Sequence, residues 1–237
     1  MQKSFLILFS FAYCVVACNN EADKVVLQKP PFAKLTDSIR QAPENAELYY
    51  RRGSLLFQNE QMIYAEKDLR QAWSLAPSEK YALGLANILA QKNVDSAITF
   101  LKSASQKLPE SIALQISLAR GYQQKKEFEK ALMICNNIIA QYPNQLDALI
   151  LKSEIQRGQN KNQEAIATME QAYNYAPFDR ELVYNLSFLY AEAKNPKVLS
   201  ITDSLIQMIR WKNMQSHIIV KEPIFKTLVI TQKPLNN

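Results

Sequence analysis

Five prolines set the frame of this chain: Pro43, Pro77, Pro109, Pro143 and Pro177 follow one another at intervals of 34, 32, 34 and 34 residues. Proline cannot extend a helix, and it disfavours helix in the residue before it. Between the prolines apolar residues recur at helical spacing, and Ala65, Ala97, Ala131 and Ala165 recur in phase. Seven residues on from each lies Ala72, Ala104, Ile138 and Ala172. Stops at a fixed interval, with small residues in register between them, are what stacked pairs of helices require. Each interval reads as a first helix, A, a short polar turn such as Gln58-Asn59-Glu60 or Gln124-Lys125-Lys126-Glu127, and a second helix, B. The alanine of B belongs where A crosses closest, because a small side chain lets two backbones approach. The expected fold class is all-α. With only 4 Gly in 237 residues, Gly-rich phosphate loops and tight β-hairpins are disfavoured.

These positions resemble the tetratricopeptide repeat. The first unit carries Tyr49, Gly53, Leu56, Ala65, Leu69, Ala72 and Pro77 at the family's spacings. The third carries Leu118, Ala119, Tyr122, Phe128, Ala131 and Pro143, and the fourth Leu149, Ser153, Ala165, Met169, Ala172 and Pro177. The second unit is two residues short and its helix A is ambiguous in register, with Ala97, Leu101, Ala104 and Pro109 in place. The resemblance covers residues 46–177 and implies a right-handed superhelix of antiparallel helix pairs. In it Gly53, Ala65, Ala72, Pro77, Ala97, Ala104, Ala131, Ala165 and Ala172 are the repeat-packing positions. Leu35 to Pro43 matches the second half of a helix B and is expected to cap the array, which spans residues 34–210. A degenerate fifth unit covers 180–210, with Val183, Leu186, Ser187 and Tyr190 on helix A and Leu199 in place of the small alanine, implying a looser crossing. From Trp211 the pattern is lost. The β-branched runs at 218–220 and 227–231 leave residues 211–237 open as a short β-hairpin, an irregular strap or a tail.

The first residues carry a different signal. Lys3 is followed by an apolar run from Phe5 to Val16, too short for a bilayer span of roughly 20 residues. The run ends Val15-Val16-Ala17-Cys18 and turns polar at Asn19-Asn20-Glu21. This resembles the bacterial lipobox, which implies a signal peptide over 1–17, removed on maturation, and acylation of Cys18. Two or three acyl chains give lasting membrane attachment, since each buried CH₂ adds about 0.8 kcal/mol. Residues 18–33 are then expected to be a tether, with Pro30-Pro31 and no sustained periodicity. By resemblance to a known sorting rule, Asn19 places the protein in the outer membrane and leaves both leaflets open. Removal of residues 1–17 leaves Cys135 as the one unmodified cysteine, so no disulfide is expected.

Catalytic constellations are hard to assemble from these residues. With a single histidine, His217, which lies in the unassigned tail, there is no Ser-His-Asp or Cys-His system to propose and no zinc cluster. Neither Gly-x-x-x-x-Gly-Lys nor Gly-x-Gly-x-x-Gly occurs. Glu127, Glu129, Glu164 and Glu170 fall on predicted solvent faces, and Cys135 on the inward face of a helix B. No enzyme activity and no cofactor or metal are therefore expected. The net charge of +6 is concentrated late, with 8 basic and 4 acidic residues from Arg180 onward, and forms no Lys/Arg stripe interleaved with aromatics. A nucleic-acid partner is not expected; anionic lipid or an acidic partner suits the charge.

What remains is a surface. The tetratricopeptide resemblance implies a groove lined by helix A residues, here Tyr50, Ser54 and Phe57, then Ile116, Arg120 and Gln124, then Ile150, Glu154 and Arg157, then Tyr184 and Phe188. Phe57, Ile116 and Ile150 can equally be packing residues between neighbouring helices. The Lys and Asn pattern with which some arrays clamp a chaperone's terminal carboxylate is absent, Tyr50, Ser54, Ala113 and Ser117 standing at those places. The expected function is a lipid-anchored adaptor holding an unidentified envelope protein or peptide, with capture of a glycan or small ligand as the alternative.

Overall fold

The structure is a computed structural model and describes residues 25–203 and 206. Among them ten helices of nine or more residues follow one another: α1 (Ala33–Gln41), α2 (Ala46–Gln58), α3 (Met62–Leu75), α4 (Glu79–Lys92), α5 (Val94–Lys107), α6 (Ile112–Gln124), α7 (Phe128–Gln141), α8 (Leu146–Gly158), α9 (Asn162–Tyr175) and α10 (Arg180–Glu192). No strand occurs among the described residues. The chain divides into two compact units, residues 1–159 and 160–237. The border between the units falls in the turn after α8. The segment expected as hairpin, strap or tail at 211–237 lies outside the described residues.

Each proline acts at one place. Helices α1, α3, α5, α7 and α9 end two residues before Pro43, Pro77, Pro109, Pro143 and Pro177. The intervening residue, Ala42, Ala76, Leu108, Tyr142 or Ala176, has φ between −128° and −147° and ψ between 67° and 93°. That is the extended backbone a following proline demands. The next helix then opens on a capping residue. Asn45, Ser78, Ser111 and Asp179 accept hydrogen bonds from backbone N–H groups of the first turns of α2, α4, α6 and α10.

Turns within the hairpins are closed differently. Glu60, Lys126, Asn160 and Lys194 occupy the same place and all have φ between 52° and 61°. In the first hairpin Gln61 N–H donates to Leu56 O and Glu60 N–H to Phe57 O. The third repeats this with Glu127 to Tyr122 and Lys126 to Gln123. This is the Schellman arrangement, which satisfies the last carbonyls of helix A through one left-handed residue. The second hairpin lacks it. Asn93 alone joins α4 to α5, ending one and capping the other, its Oδ1 accepting from Asp95 N and Ser96 N. Pro77 also stands directly before the cap Ser78, where the other hairpins insert one residue. The register of the second helix A is thereby settled: Ala86 takes the place of Gly53, and Leu89 that of Leu56.

In the first unit the hairpins pack through the small residues. Ala65, Ala97 and Ala131 are each the fourth residue of their helix B, and all are buried, as are Ala72 and Ala104. A Cβ on Gly53 would stand 3.0 Å from Leu69 Cγ, and one on Gly121 2.9 Å from Ile98 Cγ1. With a larger residue at either place the Leu69 or Ile98 side chain would have to give way. Between them Leu56, Leu69, Leu85 and Leu89 form one cluster with Phe32 and Ala65, continued by Ile98, Ala119, Ala131, Ile138 and Leu151. Each fully buried Leu or Ile stabilises the stack by roughly 1.5–3 kcal/mol.

One buried charged group has no counterpart in the sequence reading. Arg52 forks onto Asp68, with Nε–Oδ2 at 2.6 Å and Nη2–Oδ1 at 2.7 Å, while Arg52 Nη1 donates to Thr36 Oγ1 at 3.0 Å. Thr36 in turn donates to Leu27 O at 2.7 Å. Burial pushes the Asp68 carboxyl above its ordinary range, against the pull of the Arg52 fork. The group ties α1, α2 and α3 into one layer. It also bears on the expected tether: residues 25–27 are helical, and Val26, Leu27 and Phe32 pack on the first core cluster. The second half of 18–33 is thus part of the folded unit, because its apolar residues find a surface left open by α1.

In the second unit Ala165, Met169 and Ala172 of α9 are buried, as are Leu182, Val183, Leu186, Ser187 and Tyr190 of α10. Tyr190 donates to Glu170 Oε1 at 2.5 Å, and Lys197 Nζ bonds the same oxygen at 2.7 Å. Leu199 was expected inside a loosened crossing, and it is 54% exposed. Val198 N–H bonds Asn195 O and Leu199 N–H bonds Pro196 O, so the turn winds tightly after Pro196. That extra rotation carries Leu199 outward and turns Ile201 and Thr202 inward.

Candidate partner-binding surface

Counting from the start of each helix A, the fifth residue is Tyr50, Leu83, Ile116 or Ile150 and the ninth is Ser54, Asn87, Arg120 or Glu154. Those eight residues belong to α2, α4, α6 and α8 of the first unit. About one helical turn separates the fifth from the ninth and leaves them on one face, so every repeat presents an apolar residue followed by a polar one. Successive helices A contact one another directly, α2 with α4, α4 with α6 and α6 with α8. The rows are therefore continuous along the first unit.

The apolar row is partly consumed by packing. Ile116 is buried, and Tyr50, Leu83 and Ile150 are half-buried. The Tyr50 ring lies 5.2 Å from that of Tyr81 and has Lys80 Nζ 4.3 Å above it. Gly84 is what lets α4 come so close, since a Cβ there would stand 3.2 Å from Tyr50 Cε2. Phe57 likewise packs on the first cluster. Tyr50 and Phe57 thus serve the contact between helices as much as any groove. Leu83 and Asn87 belong to the same surface and were missed from the sequence, where the short second hairpin hid the register.

The polar row is more open. Arg120 and Asn87 are exposed, Ser54 and Glu154 half-buried. Arg120 Nη1 bonds Glu154 Oε2 at 3.4 Å across adjacent repeats, with half of the Arg120 side chain accessible. An exposed pair of this kind adds about 0–1 kcal/mol to stability, so either partner can be drawn to a ligand at little cost. Gln124 and Arg157 are exposed near the ends of α6 and α8. In the second unit Tyr184 and Phe188 occupy the fifth and ninth places of α10, 39% and 40% exposed.

Elsewhere the polar side chains are engaged in binding repeat to repeat. Glu47 accepts from Lys80 at 2.9 Å and from Tyr81 Oη at 3.1 Å, and Glu79 accepts from Ser111 at 2.7 Å. Lys125 bonds Asp95, and Gln159 bonds Glu129 at 3.4 Å. An open cleft beside α3 and α5 is lined by Arg70, Leu89, Asn93, Asp95, Ser96 and Phe100, among others. Its charged groups are already paired, Arg70 with Glu66 and Asp95 with Lys125. Burial pushes the Cys135 thiol up to about 11. Among the described residues no cluster of three or more His, Cys, Asp or Glu is placed to hold a metal, and no helix is long and apolar enough to cross a membrane.

Successive antiparallel hairpins with a continuous helix A face define a helical-hairpin repeat protein, a class that works through its surface. Residues 89–155 match the family model described as tetratricopeptide repeat. Among solved structures the chain is similar to MamA from Desulfovibrio magneticus RS-1, with 14% identity over 72% of this chain and 97% of that one and a TM-score of 0.54. It is similar to YrrB, described as a tetratricopeptide protein with an unusual peptide-binding site, with 18% identity over 84% of this chain and 98% of that one, TM-score 0.52. A thermophilic tetratricopeptide protein of Thermus thermophilus aligns with 16% identity over 69% of this chain and 91% of that one, TM-score 0.55. At such identities the likeness concerns the fold alone, an all-α succession of helix pairs like that of these tetratricopeptide proteins. No curated protein matches it in sequence.

Proposed function

We propose that this protein is a lipid-anchored adaptor of the bacterial cell envelope, which holds an extended protein or peptide segment along the helix A face. The observation that carries this reading is the double row over α2, α4, α6 and α8, one apolar and one polar residue per repeat, with Asn87, Arg120 and Glu154 accessible. A peptide in extended form places alternate side chains about 7 Å apart, so it can meet such rows with apolar anchors on one side and charge-assisted hydrogen bonds on the other. YrrB, which shares the fold, is described as having a peptide-binding site, which fits the reading. Tyr184 and Phe188 offer a second, aromatic face on α10.

The anchor is Cys18, acylated after removal of residues 1–17, and localisation to the outer membrane is part of the same proposal. Tethering raises the local concentration of the module, so a weak groove suffices. A photo-crosslinking residue at Asn87 or Arg120 should trap a discrete partner in intact cells, and one at the exposed Glu164 of α9 should not. Arg120→Glu should lower the yield from the Asn87 position without loss of helicity. Equal trapping from all three positions would defeat the helix A assignment. Trapping of none, together with a thermal shift on adding oligosaccharides, would favour ligand capture.

A further inference from the structure

We propose that the turn end of the first hairpin makes a second contact with the membrane, by laying Val25, Met62 and Ile63 into the lipid headgroup region. The proposal rests on acylation of Cys18. Three apolar side chains are exposed at this end: Ile63 by 81%, Val25 by 54% and Met62 by 38%. Their proximity follows from the layer that binds Thr36, Arg52 and Asp68 together. From that layer α1 reaches its start three residues back, α2 its end six residues on, and α3 its start six residues back. All three termini therefore point the same way, and Val26, Leu27 and Phe32 belong to one core cluster with Leu56, Phe57 and Tyr64.

Comparison between the repeats singles Ile63 out. It is the second residue of its helix B, where the later hairpins have Asp95, Glu129 and Gln163. Asp95 and Glu129 spend their polar atoms on Lys125 and Gln159 of the next hairpin. Isoleucine at that place contributes nothing to such a ladder and is left facing outward. The repeat that departs from the rule is the one nearest the anchor. From Cys18 to Val25 there are seven residue steps, which extend to about 25 Å at most. Because residues 25–32 are folded onto the hairpin, no further slack is available, and the turn end must stay within that distance of the bilayer. Lys29 and Lys34 are exposed beside it and suit an anionic surface, while Glu60 is the one exposed carboxylate in the turn itself. Lipid is the occupant these features favour, since the anchor supplies it at the required distance without any partner.

The test uses the full-length acylated protein. Cys18 is blocked by its lipid and Cys135 is buried, so Ile63→Cys can be labelled selectively with an environment-sensitive fluorophore. Glu129→Cys serves as the equivalent position on the third hairpin. In vesicles of phosphatidylethanolamine and phosphatidylglycerol, the label at 63 should brighten several-fold, shift to the blue and be quenched by spin-labelled lipid at a depth of ~5–10 Å. The label at 129 should emit as in water. Water-like emission at 63 from protein that carries the acyl mass and floats with the vesicles would overturn the second contact and leave the anchor standing. Absence of the acyl mass from Cys18 would overturn both. Brightening at 63 in the absence of vesicles would assign the patch to a second copy of the chain, and so overturn the lipid contact.

Discussion

Lys126 holds φ at 60° to close the third hairpin, a conformation in which an L side chain costs roughly 1–2 kcal/mol. Glycine usually stands at such a place, and it relieves the clash at some cost in chain entropy. Lys126→Gly should raise stability by about 0.5–1 kcal/mol, seen as a higher Tm with unchanged helicity. A fall would mean that the lysine side chain supports the turn. At Cys135 burial disfavours the thiolate, which is the reactive form. Alkylation by iodoacetamide should be slow at neutral pH and should accelerate when denaturant opens the third hairpin. Fast labelling of the native protein would place the thiol at the surface.

Among the elements, the first hairpin depends on a charged group that no apolar pattern announces. Arg52→Met leaves the Asp68 carboxylate buried without its partner, and should cost about 3–5 kcal/mol in urea unfolding. Arg52→Met combined with Asp68→Leu should recover most of that loss, because the desolvation of both charges disappears together. No recovery would show that the bond from Arg52 to Thr36, and through Thr36 to Leu27 O, has a further structural role. Because the same group fastens residues 25–27, the single variant should also expose Val26 and Leu27 to proteolysis ahead of α4 to α8. The alanines illustrate the opposite case: their spacing alone located the close crossings, since a small residue at the fourth place of each helix B has a local signature that Arg52 and Asp68, sixteen residues apart, lack.

At the scale of the molecule, polar bonds join neighbouring repeats within each unit, as Glu47 to Lys80 in the first and Glu170 to Lys197 in the second, others lie within one hairpin, and several are sensitive to pH. Lys80 holds the Glu47 carboxyl below its ordinary range, Lys130 and Lys125 do so for Glu127, and Lys197 and Tyr190 for Glu170. Such groups bind protons less readily folded than unfolded, so their contribution is present above the ordinary carboxylate pKa and is lost as pH falls through the folded value. Tm should therefore decline on acidification from pH 6 to pH 3, and the decline should shrink in high salt. A flat profile would mean that these pairs contribute nothing measurable, as many exposed pairs do.

Much of the architecture was decided locally. Proline spacing determined where each helix B stops, capping residues where α2, α4, α6 and α10 begin, and alanine phase which faces meet; all three are properties of a few adjacent residues and survive any arrangement of the rest. The register of the second hairpin, the outward turn of Leu199 and the docking of residues 25–32 were decided only in the tertiary structure. Each depends on a contact between segments distant in the chain, or on a turn whose length is visible only once Asn93 or Pro196 has been placed. The candidate surface divides the same way. The resemblance to the tetratricopeptide repeat named Ser54, Arg120 and Glu154, whereas packing decided that Ile116 is buried, that Tyr50 leans on Tyr81, and that Leu83 and Asn87 complete the rows.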